Sequence, residues 1–143
     1  MIKTWMEKLW ISAKQEDLNS PNQNPPQAYS PHYLINQETI NQIIQDTSQE
    51  VFPLLVRNFL EEMTVRSRNI ITAIEEEDYA TLEFESHTLG STALAMGATG
   101  LGLIARKIET ACLQSNPKQA VAHKTEFTAL VQQSTAMFNT MLG

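Results

Sequence analysis

Between Phe52 and Ile74 apolar residues return in steps of four and three. Phe52, Val56, Phe59, Met63, Ile70 and Ile74 share one seam, and Ser67 fills its single position that is not apolar. That period matches the pitch of an α-helix and excludes a strand, whose side chains alternate every two residues. Leu55, Leu60, Ile71 and Ala73 widen the stripe to the breadth that a bundle helix needs. Pro53 belongs in the first turn, where a missing N–H is harmless. Glu75, Glu76 and Glu77 place anions at the end that the helix dipole disfavours, so the helix is expected to stop there. Arg57, Arg66 and Arg68 lie off the seam and read as solvated side chains. A helix this long and this apolar on one side requires partners of similar length.

The rest of the chain supplies them. Asp78 can cap a helix that carries Tyr79, Leu82, Leu89, Ala93 and Met96 inward, and Gly97 and Gly100 punctuate the turn after it. A following helix places Leu101, Ile104, Ile108 and Ala111 on one face, with Cys112 and Leu113 beside them, and ends before Pro117. Asn116-Pro117 then starts a last helix as N-cap and first residue, with Phe127, Leu130, Ser134, Met137 and Met141 as its core stripe. A short helix over about 37–46 precedes the long seam. Asn36 caps it, and Ile35 and Ile40 can close a hydrophobic staple. No credible strand pattern occurs. The expected fold is all-α: an antiparallel up-down four-helix bundle, with the short helix capping one end.

Residues 1–33 stand apart. Ile2, Trp5, Met6 and Leu9 have helical spacing, so 1–12 reads as an amphipathic helical extension that packs on the bundle or on a second copy. Lys3, Lys8 and Lys14 give too little positive charge to favour a membrane anchor. The stretch KQEDLNSPNQNPPQAYSPH is a Pro/Asn/Gln-rich linker, so the bundle domain is expected over 34–142. A formal charge of −6 argues against nucleic acid. One cysteine excludes an internal disulfide and fits a reducing, cytoplasmic setting. Lys3, Glu7 and Lys8 interrupt any signal-peptide core, and no apolar run is long enough for a membrane span.

His87 is the residue with chemistry to offer. At roughly 100° per residue, Leu82, Ser86, Leu89, Ala93 and Met96 cluster about one direction, and His87 lies roughly 140° from it. The ring therefore points outward, on the side shared by Glu83, Gly90, Ser91 and Leu94. Glycine inside a helix costs about 1 kcal/mol relative to alanine, and close approach by a partner is a common compensation. His32 in the linker and His123 near the last helix have no ligand set around them, so no metal site is expected. Ser86 and Ser91 diverge around one helix and do not form a hydrolase pair with His87. No nucleophile elbow, Walker loop or paired carboxylates are present.

The stretch around His87 resembles the histidine-containing phosphotransfer (HPt) domains of bacterial two-component phosphorelays. Their motif is His-x-Leu-Lys-Gly-Ser, with Gly ten residues after the His and Gln or Glu twenty-two after it. His87, Leu89, Gly97 and Glu109 fall on that pattern, Asp78 matches the turn into the helix, and FLEEMTVRSRNIITAIEEEDYATLE is similar to the preceding segment. The resemblance spans 34–142. Two positions depart from it: the family lysine is Gly90 here, and the glycine after it is Ser91. Arg106 or Lys107 could supply the missing charge, although both read first as solvated surface residues.

The resemblance implies a phosphocarrier without independent catalytic activity. His87 would accept a phosphoryl group at Nε2 from a receiver-domain aspartate, as in a hybrid sensor kinase, and pass it to a response-regulator receiver. Glu109 would hold Nδ1–H. The receiver would bring Mg²⁺ and a lysine, so the carrier itself needs no cofactor. Glu83, Gly90, Ser91 and Leu94 would form the partner-binding surface. Two other readings remain: a degenerate adaptor that binds receivers without phosphotransfer, motivated by Gly90, and the phosphodonor domain of a chemotaxis-type histidine kinase. The chain's end at Gly143 without kinase sequence favours a stand-alone relay protein.

Overall fold

The computed structural model describes residues 28–142, so the helix expected over 1–12 and most of the linker lie outside the described residues. Seven helices and no strand occur among them: α1 (Pro31–Leu34), α2 (Gln37–Asp46), α3 (Phe52–Glu75), α4 (Tyr79–Ala95), α5 (Thr99–Leu113), α6 (Pro117–Ala122) and α7 (Lys124–Thr140). The protein is an all-α helical bundle. Its long helices close a ring of contacts, α3 on α4, α4 on α5, α5 on α7, and α7 back on α3.

The apolar seams meet inside that ring. Val56, Phe59, Met63 and Ile70 of α3 are buried with Leu82 and Leu89 of α4, Leu101, Ile104 and Ile108 of α5, and Phe127 and Leu130 of α7. Val131 and Phe138 join them from α7, and Phe138 meets Phe59 edge-on with ring centroids 5.0 Å apart. Each such side chain gains about 1.5–3 kcal/mol from burial, which makes this ring the main source of stability. Ser67 occupies its seam position fully buried. α3 ends where the acidic run predicts: Glu75 is its last residue and Glu77 turns to positive φ. The Asp78 carboxylate then accepts the Thr81 N–H and caps α4.

α2 fixes one end of the α4–α5 pair. The Asn36 side chain accepts the Thr39 N–H as its N-cap, while the Asn36 N–H donates to the Gly97 carbonyl at 2.8 Å. Gly97 sits at φ +80 in the turn between α4 and α5, a conformation that side chains disfavour. The turn that orients α5 against α4 is therefore held from outside by α2.

Four local expectations change. The last residues of the linker stretch are folded: Ser30 caps α1, Tyr29 stacks on Tyr33 with centroids 5.3 Å apart, and Leu34 is buried. The Tyr29 phenol is pushed up to about 12, first by burial and then by Glu126. Gly100 lies inside α5 rather than in the turn, at a spot where Tyr33 and Leu130 crowd its missing side chain. The final helix is two helices, because the His123 N–H bonds three residues back to the Ala120 carbonyl and tightens the chain there. Leu113 is exposed, since α5's core face is complete without it. No helix among the described residues is long and apolar enough to cross a membrane.

Candidate functional site

α4 carries His87 away from the core. Leu82, Ser86, Leu89 and Ala93 are buried on its inner side, and the His87 side chain is 58% exposed. Across the α4–α5 interface, Glu109 places Oε2 2.6 Å from His87 Nδ1. Glu109 itself is only 14% exposed, so α5 holds the carboxylate in place for the ring.

The tautomer follows from what each neighbour can do. A carboxylate only accepts hydrogen bonds and a guanidinium only donates them. Glu109 therefore demands a proton on Nδ1, whereas Arg106 Nη1, 3.1 Å from the same nitrogen, would demand its lone pair. The carboxylate contact is much the shorter, and Arg106 has other acceptors: Nη1 donates to Glu109 Oε1 at 3.0 Å and Nη2 to Ser91 Oγ at 2.9 Å. Nδ1–H donating to Glu109 satisfies all three side chains. Nε2 then keeps its lone pair, and it has no hydrogen-bond partner among the described residues. An exposed ring with one nitrogen anchored and the other free can act as a nucleophile or as a hydrogen-bond acceptor.

Arg106 corrects the expectation that it is merely solvated. It lies over Gly90: a Cβ at residue 90 would stand 3.3 Å from Arg106 Cδ and Nε. The close approach expected at Gly90 is thus intramolecular, and Gly90 is buried instead of facing a partner. Ser91 is exposed, accepts from Arg106 and donates to the His87 carbonyl at 3.1 Å. Leu94 is 38% exposed, with its side chain across Gly102 of α5. Glu83 is half-buried, and its charge with that of Glu109 adds to burial in raising the Cys112 thiol above its ordinary value. Glu83 therefore lies beside the α4–α5 seam, on the same flank as Glu109.

Two residues escaped the sequence reading. Phe84, 62% exposed, stands one turn before His87 on its side of α4, a position that the three-residue spacing could have revealed. Glu85 is 7% exposed and faces α3. Arg66 Nη1 lies 3.0 Å from Glu85 Oε2, and Asn69 Nδ2 donates to Oε1 at 3.2 Å. Arg66, expected to be solvated, is a brace between α3 and α4. Apolar Leu103 of α5 is also exposed near the Arg106 side. A groove of about 530 Å³ is lined by Tyr33, Leu103, Arg106, Lys107 and His123, but not by His87. The His87 ring stands on open surface, which suits a protein partner better than an enclosed small molecule.

Comparison with known proteins bears on this arrangement. The family model described as "Hpt domain" matches residues 54–137, more than half of the chain. Among solved structures, histidine-containing phosphotransfer protein B (HptB) from Pseudomonas aeruginosa PAO1 superposes with a TM-score of 0.71 at 17% identity, covering 78% of this chain and 95% of that one. A putative histidine-containing phosphotransfer protein from rice gives a TM-score of 0.62 at 15% identity, covering 99% and 91%. At these identities the likeness concerns the fold alone. No curated protein matches the chain.

Proposed function

Because this chain belongs to the Hpt domain family, phosphocarriers of two-component phosphorelays, we propose that His87 is its phosphoacceptor and Glu109 the partner of Nδ1. In this reading the Nε2 lone pair attacks the phosphorus of a receiver's aspartyl phosphate. An N–P bond forms, the P–O bond to the aspartate breaks, and the aspartate leaves as a carboxylate with the electron pair. The ring, still protonated at Nδ1, becomes positively charged, and Glu109 compensates that charge at 2.6 Å. Transfer onward to the aspartate of a response regulator is the same step reversed. Such reactions need positioning and charge compensation more than covalent help from the carrier.

One observation carries the proposal: an exposed histidine whose Nδ1 is anchored by a nearly buried carboxylate and whose Nε2 is free. The surface for the receiver is Ser91 and Leu94 of the expected set, extended by Phe84, with Glu83 at its edge and Gly90 withdrawn beneath Arg106.

The test is incubation of the full chain with a phosphorylated receiver carrying labelled phosphate. Label should appear on the wild type and be absent from His87→Gln. A wild type that binds the receiver but never takes label would leave the adaptor reading in its place. Label arriving only from ATP through a kinase domain would point to the chemotaxis-type donor.

A further inference from the structure

The His87 site contains a cation that reaches it from α5. Arg106 is one side chain held in the site by Glu109 Oε1 at 3.0 Å, by Ser91 Oγ at 2.9 Å and by the Gly90 backbone beneath its stem. It also stands 3.1 Å from His87 Nδ1, a contact that is no hydrogen bond once that nitrogen carries the proton given to Glu109. Glu109 touches the ring through Oε2 and Arg106 through Oε1, so Arg106 fixes which way the carboxylate is turned. Ser91 fixes Arg106 in turn, because its hydroxyl is itself anchored on the His87 carbonyl. The circuit closes on the residue it serves.

The seat is specific. A guanidinium on a long side chain loses rotamer freedom when it is held, and this one is held only where its methylene stem can lie flat on α4. Residue 90 has no Cβ. Adding one would bring it within 3.3 Å of Arg106 Cδ and Nε, tighter than ordinary contact, and the neighbour that must give is Arg106 itself. Any side chain at 90 therefore acts on the site by pressing on the arginine, which must give by a few tenths of an ångström, and a longer side chain competes with it for the same seat. This also gives a physical reason for a glycine in mid-helix, where it is otherwise unfavourable by about 1 kcal/mol.

We propose that Gly90 and Arg106 are a single unit in which Arg106 is the positioning residue of the site: seated on Gly90, it orients Glu109 and so holds His87 as the Nδ1–H tautomer with Nε2 free. The inference rests on the phosphocarrier reading only for its effect on transfer, since the tautomer is a property of the protein alone. Its consequence runs against the family pattern. A lysine introduced at 90 should harm this protein, because it would displace the cation already present.

Two measurements on the full chain test it. The first follows the ring nitrogens of His87 by ¹⁵N NMR in the absence of any partner. Wild type should show the Nδ1–H form, and Arg106→Ala should shift the signal toward a mixture of tautomers, with partial recovery in Arg106→Lys, which restores charge without the planar fork. The second measures the rate of label uptake. Arg106→Ala should slow it about tenfold, the lower end of what loss of an orienting neighbour does to a functional histidine. Gly90→Lys should slow uptake in the wild-type background and speed it in the Arg106→Ala background, a change of sign that a double-mutant cycle reads directly. Equal effects of Gly90→Lys in both backgrounds would overturn the unit. So would an Arg106→Ala protein with the wild-type tautomer signal. If no variant, wild type included, takes up label, the phosphocarrier reading falls, and the NMR result still decides the role of Arg106.

Discussion

α4 is flanked by two arginine–glutamate pairs that differ in what they leave open. Toward α3, Arg66 and Asn69 converge on Glu85, whose side chain is only 9% exposed, and Arg66 also lies 3.8 Å from Glu62. Thr92 donates to that same Glu62 at 3.2 Å, so the network runs along most of the α3–α4 contact. Toward α5, Arg106 meets Glu109 at 3.0 Å, but the second oxygen of Glu109 is given to His87. Both oxygens of Glu85 are taken by Arg66 and Asn69 of α3, which tie the two helices together; those of Glu109 are shared between a positioning cation and an exposed imidazole. Similar pairs on two sides of one helix thus become a brace and a site. The deciding factor is the third residue: a half-buried amide in one case, an exposed imidazole in the other.

That comparison can be broken by experiment. The largest effect on stability is expected from Glu85→Ala, which leaves Arg66 without its buried partner. Removal of one member of a buried pair typically costs 3–5 kcal/mol, and because Arg66 is 29% exposed and can reach water, about 1–3 kcal/mol is expected here. Denaturant unfolding checks this, while label uptake per folded molecule should stay at the wild-type rate. A large loss of uptake at unchanged stability would mean that the brace belongs to the site. Glu109→Ala should do the reverse. Uptake should fall about 10- to 100-fold, as when the carboxylate orienting a functional histidine is lost, and stability should change by less than about 1 kcal/mol because Arg106 can turn to solvent. A stable Glu109→Ala protein with normal uptake would remove the distinction between the two pairs.

The smallest effect lies at the start of α4, where Asp78 orients the helix that both pairs share. Its carboxylate is held below its ordinary value by the Thr81 hydroxyl and then by the Thr81 N–H. A depressed carboxylate favours folding in its charged form. Its contribution is therefore present above the unfolded value near 4 and lost as pH falls from there through the folded one. Asp78→Asn keeps an N-cap that does not titrate. Thermal midpoints of wild type and Asp78→Asn should diverge at neutral pH and converge in acid; a constant gap down to pH 2 would show that the cap carries no such linkage.

Much of this was legible in the sequence because it rests on period. The seam from Phe52 to Ile74, the caps at Asn36 and Asp78, the positive-φ turn at Gly97 and the outward direction of His87 all follow from spacing along one helix. Phe84 belongs to that same class, since three-residue spacing places it on the His87 side of α4. Arg66 and Arg106 were different. Each lies off its own helix's apolar stripe and reads as solvated, yet Arg66 is drawn to the Glu85 carboxylate on α4, and Arg106, paired with Glu109 in its own helix, reaches across to the Ser91 hydroxyl on α4. A stripe identifies the residues that face inward; it says nothing about which long polar side chains will fold back along an interface.

The sequence alone therefore determined the long helices, their inner faces and the outward direction of His87, because backbone geometry converts spacing into direction. The tertiary structure decided the chemistry around that histidine. Glu109 and Arg106 lie on a different helix from His87, and only the packing of α5 on α4, with Gly90 bare at the contact, brings carboxylate, guanidinium and imidazole within hydrogen-bond distance. The absent side chain at Gly90 reads in the sequence as a missing charge. In the fold it is the space that the charge occupies.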